Sequence, residues 1–331
     1  MRLSLVLAAL AAIGAAACGP STPETAAVTA QPVPLFPDDP GRVRLGALAY
    51  AGGVALSAEA EAFGGISAME IDPETKRLLA VTDQGVFMTA RITFEDGAPS
   101  GLSDIVFAPM LDPERRALED RQADAEGLAP LGEGRYVVSF EREHRLAVYD
   151  LGPDWSAVQT AQPSTFPAPP GADRLRDNAG MEALAATGGA LYAGIEDPIM
   201  DGTPHTIWRY DLENAAAPPR ALSLAAAPGF GLTAMTTDGE GGLFLVERYW
   251  SREIGNRIRI GRLTAMDLAE AGPAPLQPEI LAELGPDMTV DNFEAIALAE
   301  IDGEARLFIL SDDNFNPDQR TLLLSFTLAG E

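Results

Sequence analysis

A unit of two short apolar strands recurs five times along this chain, and it limits the possible folds more than any other feature. The copies are GGISAMEIDPETKRLLAVTDQ from Gly64, DAEGLAPLGEGRYVVSFER from Asp124, NAGMEALAATGGALYAGIED from Asn178, GLTAMTTDGEGGLFLVERY from Gly231 and DNFEAIALAEIDGEARLFILSDDN from Asp291. Each has a Gly or acidic lead-in, then Ser, Glu or Thr, an apolar strand, a turn, a second apolar strand and a closing acid. The lead residues are Ser67, Glu126, Glu182, Thr233 and Glu294, separated by 59, 56, 51 and 61 residues. Gly, Pro, Asp and Asn clusters fill the spaces between, as expected of turns joining many short strands. A strand-built repeat of this length predicts the blades of a β-propeller rather than a solenoid.

The two ends of the chain complete the count. The 37 residues after Glu294 and the 25 between Arg42 and Ser67 make about one more period. An all-β ring of five blades therefore accounts for residues 42–331 as a single domain. The terminal strand Thr321–Leu328 and the early strand Arg42–Tyr50 are expected to share a blade and latch the ring. Six blades, with a degenerate copy in the first or last gap, is the alternative. The apolar share of 47% supplies a core and excludes a disordered acidic chain.

In a blade hairpin the first strand lines the channel and the second returns antiparallel, so the start of one and the end of the other lie together. The closing acids are Asp83, Glu141, Glu196, Glu247 and Asp312. The ring would gather Glu126, Glu182 and Glu294 at one channel mouth, with these five acids as a second row. So many carboxylates raise one another's pKa values unless protons, arginines or a cation compensate them. Arg142 and Arg248 follow two of the closers. The inner set of Ser67, Glu126, Glu182, Thr233 and Glu294 lacks such partners in sequence. Its oxygen-only donors suit a hard cation, and an adaptable shell suits Ca²⁺ better than Mg²⁺. The alternative is a hydrated acidic mouth held by Arg pairs.

Several of these motifs resemble the bacterial family called "esterase-like activity of phytase". They are D-x-E-G-L at Asp124–Leu128, N-x-G-x-E-x-L at Asn178–Leu184, L-V-E-R at Leu245–Arg248, D-N-F-E from Asp291 and S-D-D-N-F from Ser311. The resemblance runs from about Gly64 to Leu328, and the last two motifs are its most specific part. Ala183 and Ala295 depart from it, standing where Gly is common after the glutamate. The resemblance implies a calcium-linked phosphoric-ester hydrolase on a propeller. The order Ser, Glu, Glu, Thr, Glu also looks like the calcium-dependent soluble apyrases, which supports the metal and blade count more than the substrate.

Charge narrows the partners. The 49 Asp+Glu against 23 Lys+Arg give a net charge of −26. That excludes nucleic acid as a partner and disfavours an anionic membrane surface. A single cysteine excludes a disulfide scaffold. Neither His144 nor His205 sits in a histidine-phosphatase motif, and H-E-x-x-H and G-x-S-x-G are absent. Asp312, Asn314, Asn316 and Asp318 alternate like an EF-hand, but Pro317 and Leu323 replace its required Gly and Glu, leaving Asx turns as the simpler reading.

Two functions stand at this level. In the first, Ca²⁺ holds a small phosphate ester, and Asp83 or Asp312 accepts the proton of an attacking water. Arg142, Arg248 and Arg320 are then the anion contacts. In the second, the metal only pins a non-catalytic ring that binds a small ligand or a partner protein. At the N-terminus, Met1–Ala17 has the layout of a secretory signal and ends Ala15-Ala16-Ala17-Cys18, which resembles a bacterial lipobox. The expectation is an exported lipoprotein of the periplasm or outer membrane. Lipidated Cys18 and a flexible tether over residues 18–41 would be its only membrane contact, and the domain would be a monomer.

Overall fold

The computed structural model describes residues 24–198 and 202–328, so the leader, Cys18 and the first tether residues lie outside what is described. Five antiparallel sheets surround one axis. Blade 1 runs outward from Ile66–Asp72 through Arg77–Thr82 and Val86–Glu95 to Ala98–Pro109, with Glu24–Thr25 at its edge. Blade 2 comprises Ala125–Gly132, Arg135–Phe140, Arg145–Asp150 and Pro163–Phe166. Blade 3 comprises Met181–Thr187, Ala190–Ile195, His205–Asp211 and Arg220–Leu224. Blade 4 comprises Gly231–Thr237, Leu243–Ser251, Gly255–Leu263 and Glu279–Leu284. Blade 5 starts with Asn292–Ile301, Glu304–Asp312 and Thr321–Leu328, then takes Leu48–Ala58 and Val28–Pro32 from the start of the chain. Each inner strand packs on the next, and that of blade 5 packs on that of blade 1.

Five apolar clusters hold the ring, one at each blade–blade interface. They exist because the inner two strands of each blade are apolar on both faces, as a sheet sandwiched between two others requires. Fully buried side chains such as Phe87, Phe140, Phe244, Phe293 and Phe308 sit in them. Each contributes roughly 1.5–3 kcal/mol by leaving water.

The latch is in the expected blade, and its strand begins within the expected segment but runs on to Ala58. Thr321–Leu328 pairs with Leu48–Ala58, while Arg44–Leu45 only folds back on Leu48 and Ala49. Leu48, Val54 and Leu56 are the buried side of that strand, which fixes its register. The expected tether is also shorter than residues 18–41. Val28–Pro32 pairs with Leu56 and its neighbours, and Leu35 and Phe36 are buried between blades 4 and 5. Thr289 donates to the Pro34 carbonyl at 2.6 Å and Tyr50 to that of Val33 at 2.5 Å. Proline spacing disguised this segment, although Pro is tolerated on such an edge strand. Among the described residues no helix is long and apolar enough to cross a membrane.

Candidate functional site

In every blade the ladder between the inner two strands slips by one residue, and the skipped residue is always the lead residue. Ile66 pairs Thr82 and Ala68 pairs Val81, leaving Ser67 unpaired. Glu126, Glu182, Thr233 and Glu294 are skipped in the same way. A bulge of this kind adds one residue to a strand and re-aims its side chain. The repeat is thus a ring of five bulges at one mouth. Below them the channel is almost filled. Met69, Leu184, Met235 and Ile296 leave a void of only about 10 Å³ beneath the Glu182 and Glu294 carboxyls.

On the second strand, the residue that follows the partner of the pre-bulge residue gives the second row: Asp83, Glu141, Glu196, Arg248 and Asp312. This corrects the place of Glu247. Leu232 pairs Glu247 as Met181 pairs Ile195, so Arg248 is the blade 4 equivalent of Glu196. Glu247 instead meets Arg259 at 3.2 Å and is 1% exposed. Two second-row acids lean over glycines of the next blade. A Cβ on Gly180 would meet Glu141 Cγ at 2.7 Å, and one on Gly231 would meet Glu196 Cγ at 2.8 Å. The Gly180 N–H donates to Glu141 Oε1 at 2.8 Å.

Blades 3, 4 and 5 form one arc. Arg248 Nη2 lies 3.0 Å from Glu196 Oε1 and 3.5 Å from Glu294 Oε1. Asn292 donates to Glu294 Oε1 at 2.8 Å, and the Glu182 and Glu196 carboxyls share a hydrogen bond. Burial holds Glu182 well above the usual carboxylate range, followed by the charges of Glu196, Glu126 and Glu294. Burial likewise pushes Glu294 up to about 7, with Arg248 opposing.

Blades 1 and 2 form the other arc. Oxygens of Asp124, Glu126 and Glu141 lie within 4.8 Å of one another. Among the described residues their only ion-paired cation is Arg142, whose Nε is 2.8 Å from Asp124 Oδ2 and whose side chain is 44% exposed. Burial, then the Glu294, Asp124, Glu141 and Asp83 charges, holds Glu126 well above its ordinary value. Burial pushes Glu141 up to about 7. Asp83 is pushed up to about 6 by burial and then by Asp124, and its Oδ1 is buried without a hydrogen-bond partner. This all-oxygen donor set with an orphaned buried oxygen fits a hard divalent cation.

The ring therefore divides the five expected metal ligands. Only Glu126 belongs to the tight cluster, and Asp124 and Glu141 join it. Ser67 donates to the Gly65 carbonyl at 3.4 Å and Thr233 to that of Phe293 at 3.2 Å. Asp124 was legible as the D of D-x-E-G-L, one residue from the lead position.

Of the two expected catalytic acids, Asp312 accepts the Asn314 N–H at 2.7 Å and is pushed up to about 9 by burial and Glu294, so it carries a proton at neutral pH. The following loop is the expected run of Asx turns, with Asp313 and Asn316 accepting from Phe315 N–H and Asp318 N–H. Asn314 and Phe315 take left-handed φ of 50° and 49° there. The Phe315 ring and Asp83 Oδ1 flank Gly65, where a Cβ would meet them at 2.5 and 2.2 Å.

The three expected anion contacts are all engaged with acids: Arg142 and Arg248 as above, and Arg320 with Asp291 at 3.3 Å. Trp155 and Trp208 are core, and Trp250 is exposed. The connection from Leu151 to Asp177 reaches the rim, where the Arg142 N–H donates to the Asp177 carbonyl at 3.3 Å.

No curated protein matches the chain. Among solved structures, the β-propeller domain of Cps50 (Swd1) from Myceliophteria thermophila is similar at 11% identity and a TM-score of 0.39, covering 85% of this chain and 91% of that one. That likeness is too distant to inform the site. The family model "Phytase-like: Esterase-like activity of phytase" matches residues 61–315, a span containing all five bulges and both rows of mouth residues. The chain belongs to the phytase-like family.

Proposed function

We propose that this propeller is a cation-dependent hydrolase of phosphoric esters, with Ca²⁺ held by Asp124, Glu126 and Glu141 and with Asp83 as the proton acceptor. The observation that carries it is the imbalance of the blade 1–2 arc: four carboxylates close together and one half-exposed arginine. A bound Ca²⁺ supplies Lewis-acid polarisation of a phosphoryl oxygen. Asp83 has a free buried oxygen to take the proton of the attacking water. Asp312, protonated at neutral pH, is the candidate donor to the departing alcohol as the ester P–O bond breaks. The test is phosphate release from a panel of phosphomonoesters. Activity is expected with Ca²⁺, none with chelator, and a loss of at least about a hundredfold in Asp83→Asn, within the usual contribution of a positioned acid or base.

The second reading is a non-catalytic ring pinned by the same cation and binding a ligand or protein partner. The nearly filled channel favours it, because that channel makes no passage. Calcium-dependent melting without phosphate release from any ester would select it. Export is proposed on the leader alone. Replacing Cys18 with Ser is expected to release the protein from the membrane fraction, and a substituted chain that stays bound after processing would refute lipidation. A monomer is the accompanying proposal, checked by sedimentation.

A further inference from the structure

Beside the mouth, between blade 2 and the chain leading to blade 3, lies a cavity of about 440 Å³. Arg142, His144, Arg145 and Leu175 form much of its wall. Arg145 is held firmly there. Its guanidinium lies 3.7 Å from the centre of the buried Phe140 ring and donates to the carbonyls of Glu143 and Gln122. These bonds use two of its five N–H groups, and among the described residues no carboxylate lies within ion-pair distance of it. His144 places Nε2 3.0 Å from the Arg176 carbonyl, and its Nδ1 is buried with no partner. That nitrogen is closed off from the cavity, so His144 shapes the wall.

The acids around the cavity do not cancel this charge. Asp177 is tied to Arg121 at 2.9 Å, and Arg121 also donates to the Arg142 carbonyl at 3.1 Å. Glu143 and Asp173 are exposed residues of the same wall, and the Glu143 charge acts on Arg145 without forming an ion pair. In a chain with 49 acids, a stacked guanidinium that lines a cavity, keeps free N–H groups and makes no ion pair among the described residues is a built anion contact. Arg142 connects the cavity to the cation cluster, since its side chain lines the one and binds Asp124 of the other.

We propose that this pocket binds the oxygens of a phosphoryl group, with Arg145 as the anchor and Arg142 as a further contact. The identity of the carrier, a substrate ester or released phosphate, rests on the hydrolase reading; the pocket itself does not. The planar guanidinium matches two phosphoryl oxygens at once, which no lysine would do here.

The test is calorimetric titration with inorganic phosphate in the presence of chelator. Wild-type protein is expected to bind. Arg145→Gln is expected to weaken binding at least about tenfold, Asp173→Asn to strengthen it two- to threefold by removing a repelling charge, and Arg135→Gln, outside the pocket, to change nothing. Unaltered affinity in Arg145→Gln overturns the proposal, as does binding that vanishes with chelator. Should Arg145→Gln fail to fold, an unchanged affinity in Asp173→Asn overturns it instead. A second arm separates the sources. A raised KM for a phosphomonoester with kcat held in Arg145→Gln assigns the pocket to the ester. An unchanged KM with lost phosphate binding assigns it to the free anion. Phosphate binding without hydrolysis of any ester would sink the hydrolase reading and leave the pocket standing.

Discussion

The two arcs of the mouth are built from the same repeat yet solve the same electrostatic problem in opposite ways. Blades 3 to 5 place a half-buried arginine among their glutamates, because Arg248 occupies the register position where the other blades carry an acid. Blades 1 and 2 bring Asp83, Asp124, Glu126 and Glu141 together with only Arg142 at the edge. A ring of bulges delivers carboxylates to both arcs; the difference is one side chain in blade 4. It places the uncompensated carboxylates, and with them the proposed cation, on one side of the axis rather than at its centre. Both Glu182 and Glu294 already have a counter-charge within the protein, and Glu126 does not.

The largest expected effect comes from removing that counter-charge. Arg248→Gln leaves buried glutamates without a partner and is expected to cost about 3–5 kcal/mol of stability. The cost should be smaller at pH 5 than at pH 8, since protonated glutamates need no counter-ion. Denaturant melts at the two pH values measure both terms, and an equal loss at each would make the arcs alike.

Next is the pH dependence of the metal-free protein. Burial raises Asp83 to about 6, Glu141 and Glu294 to about 7 and Asp312 to about 9, and lower in the ring it raises Glu70 to about 8. A carboxyl raised in the folded state binds more protons folded than unfolded, so it stabilises in acid and loses that contribution as pH climbs through its folded value. Melting temperature is therefore expected to fall between about pH 5.5 and 9 in chelator, and to fall less with Ca²⁺, which favours the ionised carboxylates. A melting temperature that rises over this range in chelator would contradict the burial of these acids.

Smaller effects divide the arcs directly. Glu126→Gln is expected to weaken Ca²⁺ by at least about tenfold, or 1.4 kcal/mol. Glu182→Gln should change it by less than about threefold. Equal losses at both positions would restore an axial site. Smallest of all, Glu247→Gln should leave Ca²⁺ affinity unchanged, since that side chain faces Arg259 behind the sheet; a clear loss in titration would reverse the corrected register.

The ring was legible because each blade repeats one structural demand. A bulge needs its extra residue at the same place, and the chain writes Ser, Glu or Thr there five times. Glu247 was misplaced for the converse reason. No acid stands at the blade 4 register position, so alignment by chemistry slid one residue onto the nearest glutamate, while the hydrogen-bond ladder keeps its own count. The division of the ring was not legible, because Arg248 meets Glu294 across 46 residues of sequence and only closure of the barrel-like ring joins them. Arg145 escaped notice because its distinction lies in what it stacks on and what it fails to pair with.

The most direct test is the position of the ion itself, located by anomalous scattering from crystals grown with Ca²⁺ or soaked with a lanthanide. The expected peak lies among the oxygens of Asp124, Glu126 and Glu141, on the blade 2 side and facing Asp83. A peak on the channel axis, coordinated by Glu126, Glu182 and Glu294 together, would contradict the division of the mouth into a neutralised arc and a cation-binding one.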